Sequence, residues 1–373
     1  MGASAVLAAA VGGCTAAGTA TTTIAGKTLT IYASAPAAAT QQSQDVLGAE
    51  QLALAQHGGR IGKLTVRLVS LTGKISDNAR TAIVDPSTIA YLGEIAPGAS
   101  AGSAGITNAQ DVLQVSPTDT ALELTQPSAA VSGAPGRYYE SLKTYGKTFA
   151  RVVPSTAQEA KAQVQEMQSL SVKTLYVADD GSRYGAAIAL AVKQEATRAG
   201  ISIVPRGQEG ALFFGGSSDA AALSAFRDAA AGGRAVKLLA PSALDDQALA
   251  AGLSGLAAAQ LYVSSPGFLP KDLPPAGRKF ASDFQSAYHH APSPQAIFGY
   301  EAMAAVLDVL GQAGASAGDR TKLVHDFFAI RSRSSVLGTY SINANGDTSL
   351  APFVFSHVQA GKLAPFRFVS VQG

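Results

Sequence analysis

Two rhythms alternate along the chain. Short apolar runs at 28–32, 64–71, 89–93 and 112–115 have the length and composition of strands, while 40–56 and 77–84 place apolar residues at helical spacing. His57-Gly58-Gly59 and Asp85-Pro86 stop those two helices. Pro127, Gly133, Pro135 and Gly136 then interrupt the pattern, so residues 126–146 are expected to form a surface excursion. After an apolar run at 149–154 the alternation resumes: helix 157–169, strand 174–178, helix 186–199, strands 201–204 and 211–214, helix 219–231 and strand 236–240. Another apolar run begins at Leu261, and helices 276–288, 295–313 and 321–329 follow it without intervening strands. Asn345-Gly346-Asp347 marks a turn, and 352–358 with 363–369 around Ala360-Gly361-Lys362 predicts a closing hairpin. Strand–helix alternation in two series predicts an α/β protein built on doubly wound parallel sheets.

Length supports two units, because 373 residues exceed what one hydrophobic core usually organises. With 47% hydrophobic and 14% charged residues the chain is expected to fold. A net charge of +2 without a dense Lys/Arg run argues against nucleic acid as a partner. Cys14 is the only cysteine, which rules out an internal disulfide and any multi-cysteine metal site. It closes a small-residue apolar leader through Val11-Gly12-Gly13, similar to the processing box of bacterial lipoproteins, although no basic segment precedes the leader. Lipidation of Cys14 is the expectation, with residues 15–25 as a Thr/Ala/Gly-rich tether. No apolar run approaches the length of a membrane-spanning helix.

Candidate chemistry concentrates between Ile89 and Thr125. Strand, small-residue loop, short helix, second strand and polar turn follow one another there, and both loops lie at carboxyl ends of strands, where open parallel sheets bind ligands. Gly98 permits close backbone approach, and Ser100, Thr118 and Thr120 bring hydroxyls. The competing reading is ordinary turn chemistry. Gly26-Lys27-Thr28 and Gly146-Lys147-Thr148 end like phosphate loops, but Thr21 and Ser141 stand where the earlier glycine belongs. His289-His290 lack metalloprotease spacing and read as solvent-facing, and Asp179-Asp180 and Asp245-Asp246 read as turn or cap residues before catalytic ones. A binding protein without catalytic chemistry, cofactor or metal is the expectation.

Four segments in order resemble the type I periplasmic solute-binding proteins of ABC importers, branched-chain amino-acid group. They are Ala90-Tyr91-Leu92-Gly93 through Leu113-Gln114-Val115-Ser116-Pro117, Asp179 to Gly185 with its Tyr184-Gly185, Phe298-Gly299-Tyr300-Glu301-Ala302, and Gly338-Thr339-Tyr340 through Asn345-Gly346-Asp347. The resemblance implies two α/β lobes joined by three crossings, near 149–154, 262–267 and 337–341. Residues 27–150 plus 266–338 would form lobe 1 and 151–265 plus 339–373 lobe 2, with 1–26 as leader and tether. It implies that Gly98, Ala99 and Ser100 with Thr118 and Thr120 hold a ligand carboxylate and part of its ammonium, that Tyr184 covers the ligand, and that Ser217 or Ser218 makes the next contact. Departures are Ser217-Ser218 where the family has an aromatic, a short 72–76 loop, and no acidic residue just after Ala240-Pro241; Asp119, Asp245 and Asp246 are the alternatives for that acid. The implied protein is a lipid-anchored extracytoplasmic receptor, monomeric, delivering an amino acid, amide or small carboxylate to a membrane permease. A ligand-sensing subunit of the same fold and a two-domain α/β enzyme are the rivals.

Overall fold

The computed structural model describes residues 23–37, 40–139 and 146–371, so Cys14 lies outside the described residues. In the first series β1 (Thr28–Pro36) leads into α1 (Gln41–His57), then β2 (Arg60–Ile61), β3 (Leu64–Gly73), α2 (Ile75–Val84), β4 (Thr88–Leu92), α3 (Ala104–Asn108), β5 (Leu113–Ser116) and β6 (Phe149–Arg151). The second series runs α4 (Thr156–Ser169), β7 (Thr174–Asp179), α5 (Arg183–Arg198), β8 (Ser202–Ile203), β9 (Ala211–Gly215), α6 (Asp219–Ala230), β10 (Lys237–Ala240), α7 (Gln247–Ala251), α8 (Gly255–Ala259) and β11 (Leu261–Pro266). The chain then adds α9 (Pro275–Tyr288), α10 (Ala296–Ala313), α11 (Arg320–Phe328), and the strands β12 (Arg333–Ser335), β13 (Gly338–Tyr340), β14 (Pro352–Gln359) and β15 (Lys362–Ser370).

Two sheets result. The first has the order β2-β3-β1-β4-β5-β6 and the second β15-β14-β11-β10-β9-β7-β8. Within each, the parallel strands follow a doubly wound order that reverses beside its first strand, at β1/β4 and at β7/β9. The strands at this reversal diverge into different helices, which opens a crevice at their carboxyl ends. Local sequence explains the elements. Thr40 and Ser43 form a reciprocal cap that starts α1, and Gly58 at φ 82° ends it.

α10 packs its small face on α1, because a Cβ at Gly299 would meet the Val46 carbonyl oxygen at 2.5 Å. With the turn after it, residues Ala296–Ser316 are long and apolar enough to cross a membrane, contrary to the expectation that no run is. They are 67% buried, and their apolar side chains supply the first lobe's core beside Phe280, Phe284 and Phe327. Tyr340 and Ile342 also pack in that core. The third passage between lobes therefore falls after Ile342 rather than at 337–341, because the β12–β13 hairpin is anchored by Arg333 and Tyr340 on the buried Glu301.

Arg151, fully buried at the end of β6, ties the first and third passages together. Its Nε stands 3.0 Å from Asp347 Oδ1, and its backbone N–H donates to the Gly346 carbonyl at 2.8 Å. Gly346 has φ 91°, and any Cβ there would strike the Phe149 carbonyl oxygen, so the turn requires glycine. The remaining guanidinium N–H groups donate to the carbonyls of Asp119 (2.9 Å) and Ala121 (2.8 Å) and to Thr125 Oγ1 (2.8 Å). Asp347 Oδ2 accepts from Gln126 Nε2 at 2.6 Å. Removing one partner of a buried pair leaves an uncompensated charge, which costs about 3–5 kcal/mol. Arg151→Met is expected to lower stability by about that amount in urea unfolding, whereas the double change Arg151→Met/Asp347→Leu recovers most of the loss; equal losses in both variants would refute the pairing.

Candidate functional site

The loops that follow β4 and β5 are cross-tied before anything else meets them. Asp119, fully buried, accepts the backbone N–H of Gly98 at 2.6 Å, of Ser100 at 2.7 Å and of Ala121 at 3.0 Å. The Ala99 N–H donates to the Ala96 carbonyl at 3.1 Å. Ser100 Oγ accepts from Glu94 N at 3.0 Å, Ser116 Oγ donates to the Glu94 carbonyl at 2.7 Å, and Thr118 Oγ1 donates to the Ile95 carbonyl. Of the donors expected to hold a ligand carboxylate, all but the Thr120 hydroxyl are thus already engaged, and Asp119 takes the Gly98 and Ser100 N–H groups from within the chain. The reason is physical: these N–H groups converge, and a tethered carboxylate reaches them without the entropy cost of capturing a free one. Gly98-Ala99-Ser100-Ala101-Gly102 also spells the G-x-S-x-G pattern of a nucleophile elbow. Ser100 is not activated, since its buried hydroxyl is bound to the Glu94 amide and pairs with no histidine among the described residues.

Tyr184 comes from the other lobe, in the first turn of α5, which Ser182 caps by accepting from Gly185 N at 2.9 Å. A Cβ on Gly98, at φ 81°, would lie 3.3 Å from Tyr184 Cβ, so the two lobes touch here. Their cores also merge: Ala104, Ala121 and Leu124 of the first lobe share a cluster with Tyr184, Ile188 and Phe213 of the second. Only 4% of Tyr184 is exposed. Its hydroxyl faces Glu159, Ser242, Thr120 and the Ala243 N–H without completing a hydrogen bond, and Thr120 Oγ1 is likewise buried and unpaired. Burial, then the neighbouring Glu159, pushes the Tyr184 phenol well above its ordinary range.

Glu159 is the residue that sequence reasoning missed. It sits in the first turn of α4, fully buried, and its carboxylate accepts Ser242 N (2.6 Å), Ser242 Oγ (3.0 Å) and Ser264 Oγ (2.7 Å). The acidic group sought just after Ala240-Pro241 therefore reaches Ser242 from a different element. A glutamate in a helix's first turn is common, and nothing in the sequence distinguished this one. Burial raises its pKa to about 7 against the hydrogen bonds from Ser264 and Ser242, with Asp245 adding to the rise. Asp245 itself, half-buried, is raised to about 6 by burial; a Ser265 hydrogen bond opposes this and Asp246 reinforces it.

Ser217 and Ser218 are not brought to this place. Both are exposed, both backbone N–H groups donate to Asp180 Oδ2 (2.8 and 3.3 Å), and the Ser218 hydroxyl caps α6. Asp180 acts as a turn residue, as the sequence suggests: burial raises its pKa, but hydrogen bonds from Ser182 and Ser217 outweigh that and leave it lowered. His289 is exposed and the His290 side chain is 42% exposed, with its Nε2 also 2.9 Å from the buried Asp45 carboxylate. Beside the Tyr184 contact a cleft of about 610 Å³ opens between the lobes, lined by Thr40, Ile95 and Pro97 on one side and by Ser242, Asp245 and Gln247 on the other. Among the described residues no group of three His, Cys, Asp or Glu side chains is placed to hold a metal ion.

The raised acids carry a stability signature. Glu159 has an ordinary value of 4.5 and a folded value near 7, so the native state keeps a proton that the unfolded chain has released. Its contribution is fully present below pH 4.5 and disappears as pH rises through 7, a loss on the order of 3 kcal/mol. Dialysed protein is expected to unfold at lower urea at pH 8 than at pH 5, and Glu159→Gln to flatten that slope. An unchanged slope in the variant would remove Glu159 as its source.

A family model described as periplasmic binding protein matches residues 207–361. No curated protein matches the sequence. Among solved structures, a leucine-binding protein from Thermotoga maritima superimposes with a TM-score of 0.74 at 20% identity, covering 91% of this chain and 98% of that one. A substrate-binding protein of an ABC transporter from Desulfitobacterium hafniense, in complex with Leu, gives 0.74 at 17% identity over 91% of this chain and 100% of that one. A solute-binding protein from R. palustris in complex with benzoate gives 0.68 at 16% identity over 92% and 98%. The chain therefore has the two-lobed fold of the type I periplasmic binding proteins, and over residues 207–361 it matches that family's sequence model.

Proposed function

We propose that this protein is an extracytoplasmic solute-binding receptor of an ABC importer, which closes its lobes on a small solute and presents it to a membrane permease. The observation that carries the reading is the meeting of both lobes on one polar, solvent-excluded spot, where Thr120 from one lobe and Tyr184 from the other leave buried hydroxyls unpaired. Unpaired buried polar groups cost free energy, which a ligand supplying the missing hydrogen bonds would recover. A solute bridging the lobes binds the closed form better than the open one, and that difference is what drives closure. Three solved structures of this fold hold leucine, isoleucine and benzoate, which supports a small organic solute here. We assign no conversion chemistry to the site, because Ser100 and the buried acids form no nucleophile–base pair.

Within this reading Thr118, Asp119 and the Gly98–Ala99–Ser100 loop shape the first-lobe wall, and Thr120 and Tyr184 touch the solute; Ser217 and Ser218 are left out of the contact set. The protein works as a monomer held at the outer face of the cell membrane through lipidated Cys14.

Two measurements test the reading. A bound solute at a hundred times its Kd stabilises the native state by about 2.7 kcal/mol, so a thermal-shift panel of amino acids, amides, amines and small acids is expected to contain at least one that raises Tm. With that solute, Tyr184→Ala is expected to release it at least tenfold faster in stopped flow while slowing association little. A panel without any shift, or an unchanged off-rate, counts against the receptor reading. For the anchor, Cys14→Ala is expected to move the protein from the membrane to the soluble fraction of its native host. Mass spectrometry showing an unmodified Cys14 thiol in the wild-type protein would exclude it.

A further inference from the structure

The charge distribution in and behind the cleft narrows the solute class, an inference that rests on the receptor reading above. Its lining contains Asp245 and Asp246 and not one Lys, Arg or His side chain. Ser242, which lines the cleft, also donates through both N–H and hydroxyl to Glu159 behind it. The three donors on the Glu159 carboxylate are neutral, and the charge acting beside it is another carboxylate, Asp245. The remaining group facing it is the Tyr184 phenol, with Gln163 close by through the shared Ser264 hydroxyl. A carboxylate accepts about four hydrogen bonds, so Glu159 retains capacity for one more donor. Thr120 Oγ1 and the Tyr184 hydroxyl, both more than nine-tenths buried and unpaired, face the same spot.

The opposite end of the site tells the same story. Gly98, Ala99 and Ser100 spend their N–H groups on Asp119 and on the Ala96 carbonyl, so a solute carboxylate finds no free donor in that loop. At the α1 N-terminus on the cleft edge, Thr40 Oγ1 takes the Ser43 N–H and Ser43 Oγ takes the Thr40 N–H. A second anion brought here would sit against Asp119, Glu159 and Asp245, while Arg151 behind the Asp119 turn is committed to Asp347 and to backbone carbonyls; an ammonium would be attracted by all three carboxylates.

We propose that the cleft selects a cationic, amine-bearing solute, that Glu159 and Asp245 receive the ammonium, and that Asp119 takes the place a solute carboxylate would otherwise fill. The solute need carry no acid group. Ammonium recognition also couples to pH: as Glu159 and Asp245 lose their protons between about pH 6 and 7, the site gains the negative charge that an amine requires.

Calorimetric titration of the full chain with four probes separates the groups: leucinamide and 1,4-diaminobutane carry amines without acids, and N-acetylleucine and benzoate carry acids without amines. At least one of the two amines is expected to bind, at least tenfold more tightly at pH 8 than at pH 5.5. Neither acid is expected to bind at the same protein concentration. Glu159→Gln, checked by circular dichroism for native folding, is expected to weaken amine binding at least tenfold; should it fail to fold, Asp245→Asn replaces it with the same expectation. Binding of N-acetylleucine or benzoate with no response to either amine overturns the cation assignment and leaves the receptor reading standing. Amine binding that is insensitive to both substitutions overturns the roles of Glu159 and Asp245. No response to any probe, together with no shift across the wider solute panel, overturns both readings.

Discussion

The buried pair of Arg151 and Asp347 is the constraint on which the rest of the molecule is arranged. Arg151 leaves the last strand of the first sheet where the chain passes toward the second lobe, and Asp347 lies on the segment returning between them. Removing two charges from water is costly, and their mutual attraction together with further hydrogen bonds to the guanidinium offsets that cost. The partners here lie in the first-lobe turn that the proposed function assigns to the solute site. Two of the guanidinium's hydrogen bonds go to the carbonyls of Asp119 and Ala121, so the same side chain that joins two passages also fixes the turn carrying Thr118, Asp119 and Thr120. Hinge and binding wall are one hydrogen-bonded unit.

That unit explains how a site can be both rigid and closable. The first-lobe loops are locked to each other through Asp119, Glu94, Ser100 and Ser116, so they present a preformed wall. On the second lobe, Ser182 and Asp180 brace the start of α5 and hold Tyr184 in place. The two surfaces meet at Gly98, where the absence of a Cβ lets the loop lie on the tyrosine. Few covalent passages favour motion of one lobe against the other as nearly rigid bodies, across a contact in which the Gly98 loop and an apolar cluster meet Tyr184. The cost of that arrangement is buried polarity: Glu159 and Asp245 are raised toward neutral pH because burial withdraws them from water.

Much of this was legible in the chain and part was not. The alternation of apolar runs with helical spacing predicts elements that agree with the observed ones to within a few residues, from β1 through the β14–β15 hairpin. The reason is local: Gly58, Pro86, Gly200 and Asn345-Gly346 punctuate the chain through their own backbone preferences, and periodicity reports which face is buried. The family resemblance also implies that Thr120 and Tyr184 face one ligand, and the two hydroxyls do meet at one buried spot. The sequence could not show that Asp119 would turn inward onto Gly98 and Ser100, since an aspartate in a polar turn more often faces water. Nor could it single out Glu159, whose partners Ser242 and Ser264 lie 83 and 105 positions away, in the turn after β10 and on β11. Ser217 and Ser218 show the opposite failure, residues in the expected loop whose N–H groups the neighbouring Asp180 claims first.

What the sequence by itself determined is the rhythm of elements, the two-series α/β plan and the loops at which a ligand site would open, because those follow from short-range backbone and burial preferences. Only the tertiary structure decided the chemistry of the site. Which carboxylate faces which donor, and whether it keeps its proton, depends on distances between distant segments and on the exclusion of water when they meet, and neither quantity is carried by neighbouring residues in the chain.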